Sequence, residues 1–227
     1  QTASAIQTAG LAETTQINFE ELSRLYRSSR LIAKANNEAE VLQISEQVLT
    51  ESPHILLLLK LSSNKIEAVS ASDEEGNSIL SRIPASVEAD ILEIDDILAY
   101  SPLIVGAKSN ELPFGLRAFV DPLQLASAVF VPVRKNEKLS AILVLGSKDQ
   151  TVGNSLIQPY ANFADLMSIT LEKIEAEKLT EKHLNEVEAL ISVSKAVSTS
   201  SDLSTFFTAL HDKVIQVIGD YSFIIAF

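Results

Sequence analysis

Leu125-Ala126-Ser127-Ala128-Val129-Phe130-Val131-Pro132-Val133-Arg134, a polar turn Lys135-Asn136-Glu137, then Leu139-Ser140-Ala141-Ile142-Leu143-Val144-Leu145-Gly146: this stretch decides the fold. Each arm is an apolar run too short for a buried helix, the first with a proline near its end, and a reversal joins them. The pair reads as two long strands at the core of a sheet, apolar on both faces and therefore covered on both.

Downstream, Asn154 to Ser198 carries one long helical pattern. Leu156, Tyr160, Phe163, Met167, Thr170 and Ile174 step by three and four residues, the spacing of one helix face, and Leu184, Val187, Ile191 and Ser194 repeat the step. Between them the charged segment Glu172 to Lys182 shifts the stripe out of phase. Charges there read equally as a solvated face, and the like-charge pairs Glu177 with Glu181 and Lys178 with Lys182 repel. The apolar positions beyond them are another matter, since a helix leaving its domain exposes such side chains unless a second helix covers them. The expected interface of a homodimer with parallel helices is Leu22, Leu25, Ile32, Phe163, Met167, Ile174, Leu184, Val187 and Ile191.

Upstream, residues 1–17 show no stripe and read as a lead-in. Asn18 and Glu21 have the spacing of a capping box and open a helix bearing Leu22, Leu25, Tyr26 and Ile32. Asn37 with Glu40 opens a second helix, which Ser52-Pro53 ends. His54 to Leu61 is a buried strand, and Ser62-Ser63-Asn64 turns it into the alternating strand Lys65 to Ser72. The pattern then predicts a short strand at Ile79 to Ile83, short helices at Ser86 to Ile91 and Ile94 to Tyr100, a strand at Pro102 to Val105 and a helix at Leu112 to Val120.

Composition narrows the function classes. The chain has 227 residues, 46% of them apolar, a net charge of −12 and no cysteine. That length suits one cored domain with a connector and part of another. An acidic chain without clustered Lys and Arg is a poor match for nucleic acid or anionic lipid, and no apolar run is long enough for a membrane span. Without thiols there is no disulfide, thiolate metal site or thiol nucleophile. The opening Gln1 to Ala5 is no signal peptide, so a cytoplasmic location inside a longer parent protein is expected.

The end of the chain resembles its beginning. Val41, Ile44 and Val48 match Phe207, Leu210 and Val214, and Leu57-Leu58-Leu59 matches Phe223-Ile224-Ile225. One step off, Leu25, Tyr26 and Ile32 match Leu190, Ile191 and Val197. The shared order of helix, break, helix, breaker and strand predicts the start of a second copy. The expected domains are a first at 18–171, a coiled-coil connector at 172–189 and a truncated repeat at 190–227, whose strand Tyr221 to Phe227 has an open edge.

With the order of elements, the strand pair Ser127 to Arg134 and Leu139 to Gly146 resembles a GAF domain. The resemblance covers about Leu22 to Glu172, and it departs from the family at the turn, where glycines are replaced by Asn136-Glu137-Lys138 and Ser140. It implies an α+β fold: a mostly antiparallel six-stranded sheet, entry and exit helices on one face, and short elements arching over the other to enclose a pocket. It also implies a sensory or regulatory module of a signalling protein rather than an enzyme. The ligand is left open.

Cofactors are not expected: members that carry a bilin do so through a cysteine, which this chain lacks, and haem has only the isolated His54 to hold it. The residue set of cyclic-nucleotide-binding members does not fall on this chain. Asp90, Glu93, Asp95 and Asp96 could gather a hard cation but read more simply as solvated surface. If an unidentified small molecule binds, Tyr100, Phe114, Arg117 and Phe119 are the residues placed to hold a planar or anionic one, the bland alternative being that the rings are core. A purely structural dimerisation spacer is the other reading.

Overall fold

The computed structural model describes residues 20–99, 102–106, 112–149 and 152–199. It divides into two compact units, Gln1–Glu172 and Lys173–Phe227. In the first, helices α1 (residues 20–32) and α2 (Glu38–Thr50) precede strands β1 (Ile55–Ser62), β2 (Lys65–Ser72) and β3 (Ser86–Glu88). Helix α3 (Ile91–Ile97), strand β4 (Leu103–Gly106), helix α4 (Phe114–Val120), strands β5 (Ser127–Lys135) and β6 (Lys138–Ser147) and helix α5 (Asn154–Thr199) follow. The six strands form one sheet in the order β3-β2-β1-β6-β5-β4, antiparallel at every pairing. The fold is α+β, as the hairpin and its flanking elements imply.

The two arms that decided the fold are β5 and β6, paired from Ser127 opposite Ser147 to Lys135 opposite Lys138. Asn136 and Glu137 form the turn, both with positive φ (52° and 64°), the geometry that matches the twist of a two-residue hairpin. Pro132 falls beyond the end of β4, whose pairing with β5 begins at Phe130, so its missing amide breaks no ladder on that side. Gly146 is required by packing, because a Cβ there would lie 2.6 Å from the Leu125 Cδ1.

Alternation along the strands sends side chains to two cores. Ile55, Leu57, Leu59 and Leu61 pack with Ile94, Leu98, Leu116, Phe119, Phe130, Ile142 and Val144 beneath the arch of α3 and α4. Leu56, Leu58, Leu143 and Leu145, equally buried, belong to the opposite face. There the Ser45 hydroxyl of α2 lies 3.4 Å from Met167 Sδ of α5, and Ser168 of α5 accepts the Arg134 amide of β5 at 2.8 Å. Helix α2 starts where the capping pattern places it: Asn37 Oδ1 accepts from the Glu40 amide at 2.9 Å, and its Nδ2 donates to Glu40 Oε1 at 2.8 Å.

The middle of the chain corrects the reading. Ile79 to Ile83, expected as a strand, contains a 3-10 turn over Leu80–Arg82, and the third strand lies at Ser86–Glu88, where a helix was expected. Pro84 is the physical reason. It holds Ile83 extended (φ −121°, ψ 158°), and the chain leaving it pairs with β2, with the Ala68 amide bonded to Ala85 O at 3.0 Å. The helix that follows begins at Asp90, whose carboxylate accepts from the Leu92 and Glu93 amides.

In the second unit α5 continues from Lys173 as helix to Thr199. Lys173 with Glu177 and Lys182 with Glu186 form exposed ion pairs one turn apart. The expected strand and second helix of the repeat lie outside the described residues, as does the expected lead-in. No helix among the described residues is long and apolar enough to cross a membrane.

Candidate functional site

Of the four residues expected to line a pocket, the three that are described differ in their surroundings. Phe119 is fully buried in the core beneath the arch, while Phe114, the first residue of α4, is 68% exposed. Arg117 lies one turn on from Phe114, and its buried Nε has no hydrogen-bond partner among the described residues. Tyr100 lies outside the described residues. Five residues apart on one helix, Phe114 and Phe119 point in different directions.

The structure instead opens a small pocket of about 270 Å³ at the end of β4 and β5, lined by Val105, Gly106, Leu112, Val120, Asp121, Gln124, Leu125 and Ala128. Six of the eight lining residues are apolar or glycine, and Asp121 and Gln124 supply a carboxylate and an amide. Gln124 holds the rim turn in the left-handed region (φ 52°, ψ 46°), which costs a non-glycine residue about 1 kcal/mol. The volume lies just under the ~300 to 1,000 Å³ of ordinary ligand sites, so the space suits only a small molecule. Two of the four acidic residues at α3 have local roles: Asp90 caps the helix, and Asp95 accepts from Arg134 Nη1 at 2.6 Å.

On the other face lies a larger open cleft of about 690 Å³, lined by residues of α1 (Glu20, Glu21, Ser23, Arg24, Arg27), of the α2–β1 turn (Thr50 to Pro53) and of the β2–β3 loop (Glu74 to Gly76). Its floor is a buried polar network. Tyr160 of α5 donates to Glu21 Oε1 at 2.5 Å, while Arg24 Nη2 donates to the Tyr160 hydroxyl oxygen at 3.1 Å. Ser52 Oγ lies 2.9 Å from the same hydroxyl, and His54 Nε2 lies 3.3 Å from Glu21 Oε2. Burial pushes the Glu21 carboxyl up, but hydrogen bonds from His54 and Tyr160 and the charges of His54 and Arg24 outweigh it and hold it below the ordinary carboxylate range. Burial, then the Glu21 charge, push the Tyr160 hydroxyl above the ordinary phenol range. The sequence assigned Glu21 to a helix cap and His54 to the head of a strand; Tyr160, more than a hundred residues from Glu21, Arg24 and Ser52, left no local signal of the network.

The nine positions expected at a dimer seam divide into two groups. Leu25, Ile32, Phe163, Met167 and Ile174 are at most 4% exposed within the single chain, whereas Leu22, Leu184, Val187 and Ile191 are 50 to 61% exposed. A three-four period identifies the apolar face of a helix without saying what covers it. Ile169, Leu179, Leu190 and, on α1, Tyr26 and Leu31 are further large side chains left open to water. In the second unit, Lys173, Ala176, Glu177, Thr180, Glu181 and Leu184 line a shallow groove along the helix.

No family model and no curated protein matches the chain. Solved structures do. The Stigmatella aurantiaca phytochrome photosensory core module matches with a TM-score of 0.60 and 8% identity, over 88% of this chain and 46% of that one. The bacteriophytochrome RpBphP3 from the photosynthetic bacterium R. palustris matches with a TM-score of 0.58 and 9% identity, over 87% and 47%. The chain therefore spans about half the length of these two structures. At such identities the likeness is one of fold, and it supports the GAF-like architecture that the strand pair and element order imply.

Proposed function

We propose that the chain is a non-catalytic sensory or regulatory module of a larger signalling protein, which pairs with a second copy through parallel helices and passes a change at its sheet along α5. The observation that carries this reading is the run of exposed apolar side chains Leu179, Leu184, Val187, Leu190 and Ile191, each 51 to 69% exposed on one helix. Singly such residues need no explanation, but a continuous series on one element is the mark of a missing partner. A helix takes its partner along positions three and four apart, and Leu184, Val187 and Ile191 have that spacing. The fold shared with photosensory modules favours sensing over catalysis, although it names no stimulus for this chain. On this reading the seam runs through Leu22, Leu184, Val187 and Ile191, and Leu25, Ile32, Phe163, Met167 and Ile174 serve the fold.

The reading requires no cofactor and assigns no residue a catalytic role. Its test is the oligomeric state by light scattering: a dimer at micromolar concentration is expected, and the Leu184→Asp, Ile191→Asp double variant is expected to be monomeric with the sheet intact. A wild-type monomer would remove the reason for the seam. The second reading, a spacer that binds no small molecule, is favoured by the modest 270 Å³ of the arch-side pocket. Thermal shift against nucleotides, tetrapyrroles and amino acids separates the two, since a ligand of the folded state raises the melting temperature with concentration.

A further inference from the structure

The network beneath the helix-side cleft has a property that neither the seam nor the pocket uses: its hydrogen bonds close into a ring whose directions are almost fully determined. The Tyr160 hydroxyl gives its one hydrogen to Glu21 Oε1 and accepts from Arg24 Nη2, so toward Ser52, at 2.9 Å, it acts as acceptor and the Ser52 hydroxyl donates. Ser52 Oγ in turn accepts the His54 backbone amide at 3.3 Å. His54 Nε2 then donates to the second carboxylate oxygen of Glu21, closing the ring at 3.3 Å. The ring joins three segments remote in sequence: the first turns of α1, the turn ahead of β1, and α5. Glu21 and Arg24 are 5% and 7% exposed and Tyr160 is fully buried, so losing a member strands charged or polar partners away from water.

One further feature distinguishes this ring from ordinary fold support. The ring also fixes the rotation of α1, because Glu21 and Arg24 face inward while Leu22 and Tyr26, on the same turns, are 50% and 69% exposed. Glu21, Arg24 and Ser52 of the network line the cleft, whose other charged groups are Glu20, Arg27, Glu51, Glu74 and Glu75.

We propose that the Glu21–Tyr160–Ser52–His54 ring, with Arg24 bound to it, is a latch that holds α1 in one rotation and register against α5 and the head of β1. Its opening lets α1 move while the sheet stays folded, so the latch is the point at which this helix takes a second arrangement. The inference stands on bonds within one chain and holds whether or not a second chain covers the outer face of α1.

Hydrogen exchange on the full chain tests it. Tyr160→Phe removes the central hydroxyl and keeps the ring, and Glu21→Gln removes the charge and keeps the shape. Each is expected to speed amide exchange across residues 20–32 at least tenfold while β1 and β6 change by less than twofold. His54→Leu is expected to act in the same direction, and His54→Gln, whose amide nitrogen can still donate to Glu21, to restore most of the protection. If Tyr160→Phe does not fold, the two His54 variants at the edge of the ring give the same reading. Equal acceleration in α1 and the sheet, unchanged exchange in α1, or identical behaviour of His54→Leu and His54→Gln would each overturn the latch.

Discussion

Two stretches of α5 have the same apolar period and opposite environments. Tyr160, Phe163, Ala164, Met167 and Leu171 are at most 2% exposed, whereas Leu184, Val187, Leu190 and Ile191 are 51 to 69% exposed. Each stretch taken alone would be drawn as an amphipathic stripe, the second out of phase with the first. The difference teaches that an apolar stripe demands a cover, and that among the described residues the first stretch finds one and the second does not. Burial also changes what a substitution does: in the first stretch it removes packing, and in the second it removes exposed surface that only a partner can reward.

The largest effect expected from that contrast is on folding. Phe163→Ala should destabilise the first unit by about 3 to 5 kcal/mol in denaturant unfolding, because it leaves a cavity in a fully packed core. Val187→Ala at matched monomeric concentration should change stability by less than about 0.5 kcal/mol. Similar losses at the two sites would end the contrast. Next in size is assembly, where Leu184→Asp with Ile191→Asp should weaken self-association at least a hundredfold by sedimentation while the unfolding midpoint of the sheet holds.

How much of this could be read in advance follows the same division. Local chemistry was legible: the two arms of the β5–β6 hairpin, the Asn37 cap of α2 with its Glu40 partner, and the long helix from Asn154 all carry signals within a few residues. Assignments that depend on distant partners were not. Tyr160 and Glu21 are 139 residues apart in the chain, so no spacing rule connects them. Edge strand β3 failed for a related reason: three residues with exposed ends have no period of their own and are strand only because β2 is beside them. The arch-side pocket lies at the Asp121 to Gln124 turn, for which the sequence pattern carried no signal.

A third, smaller effect separates the stretches by pH. Glu21 has its carboxyl held below its ordinary value of 4.5, so its contribution is present above that pH and is lost as pH falls through the lower folded-state value. Tyr160 is raised above its ordinary 10.0, so its contribution is complete below pH 10 and is lost as pH rises through the folded-state value. The groups facing Glu21 are Arg24, His54 and Tyr160, with the cleft glutamates and Arg27 beyond them. Thermal melts of wild type should therefore lose stability at both extremes, and Glu21→Gln should flatten the acid limb, leaving the exposed second stretch unaffected. An acid limb of the same depth in Glu21→Gln would assign the loss to other carboxylates.

The smallest expected effect is the one that best isolates burial from chemistry. Arg24 with Glu21 and Lys182 with Glu186 are both cation–carboxylate pairs one turn apart on a helix, at 3.5 and 3.8 Å. Their side chains are 8% and 4% exposed in the first pair, 71% and 47% in the second. In the open pair, water and salt screen the attraction, and holding two long side chains together costs entropy, so Lys182→Ala should shift helix stability by no more than about 0.5 kcal/mol and by less in high salt. Arg24→Ala removes the cation from a nearly buried carboxylate and a buried hydroxyl, where salt has less purchase than on the open helix. The measurement is the salt dependence of each loss: a Lys182→Ala effect that shrinks with salt beside an Arg24→Ala effect that does not. Equal screening of both would mean that the network under the cleft is as wet as the outer helix, and the latch could not then distinguish one rotation of α1 from another.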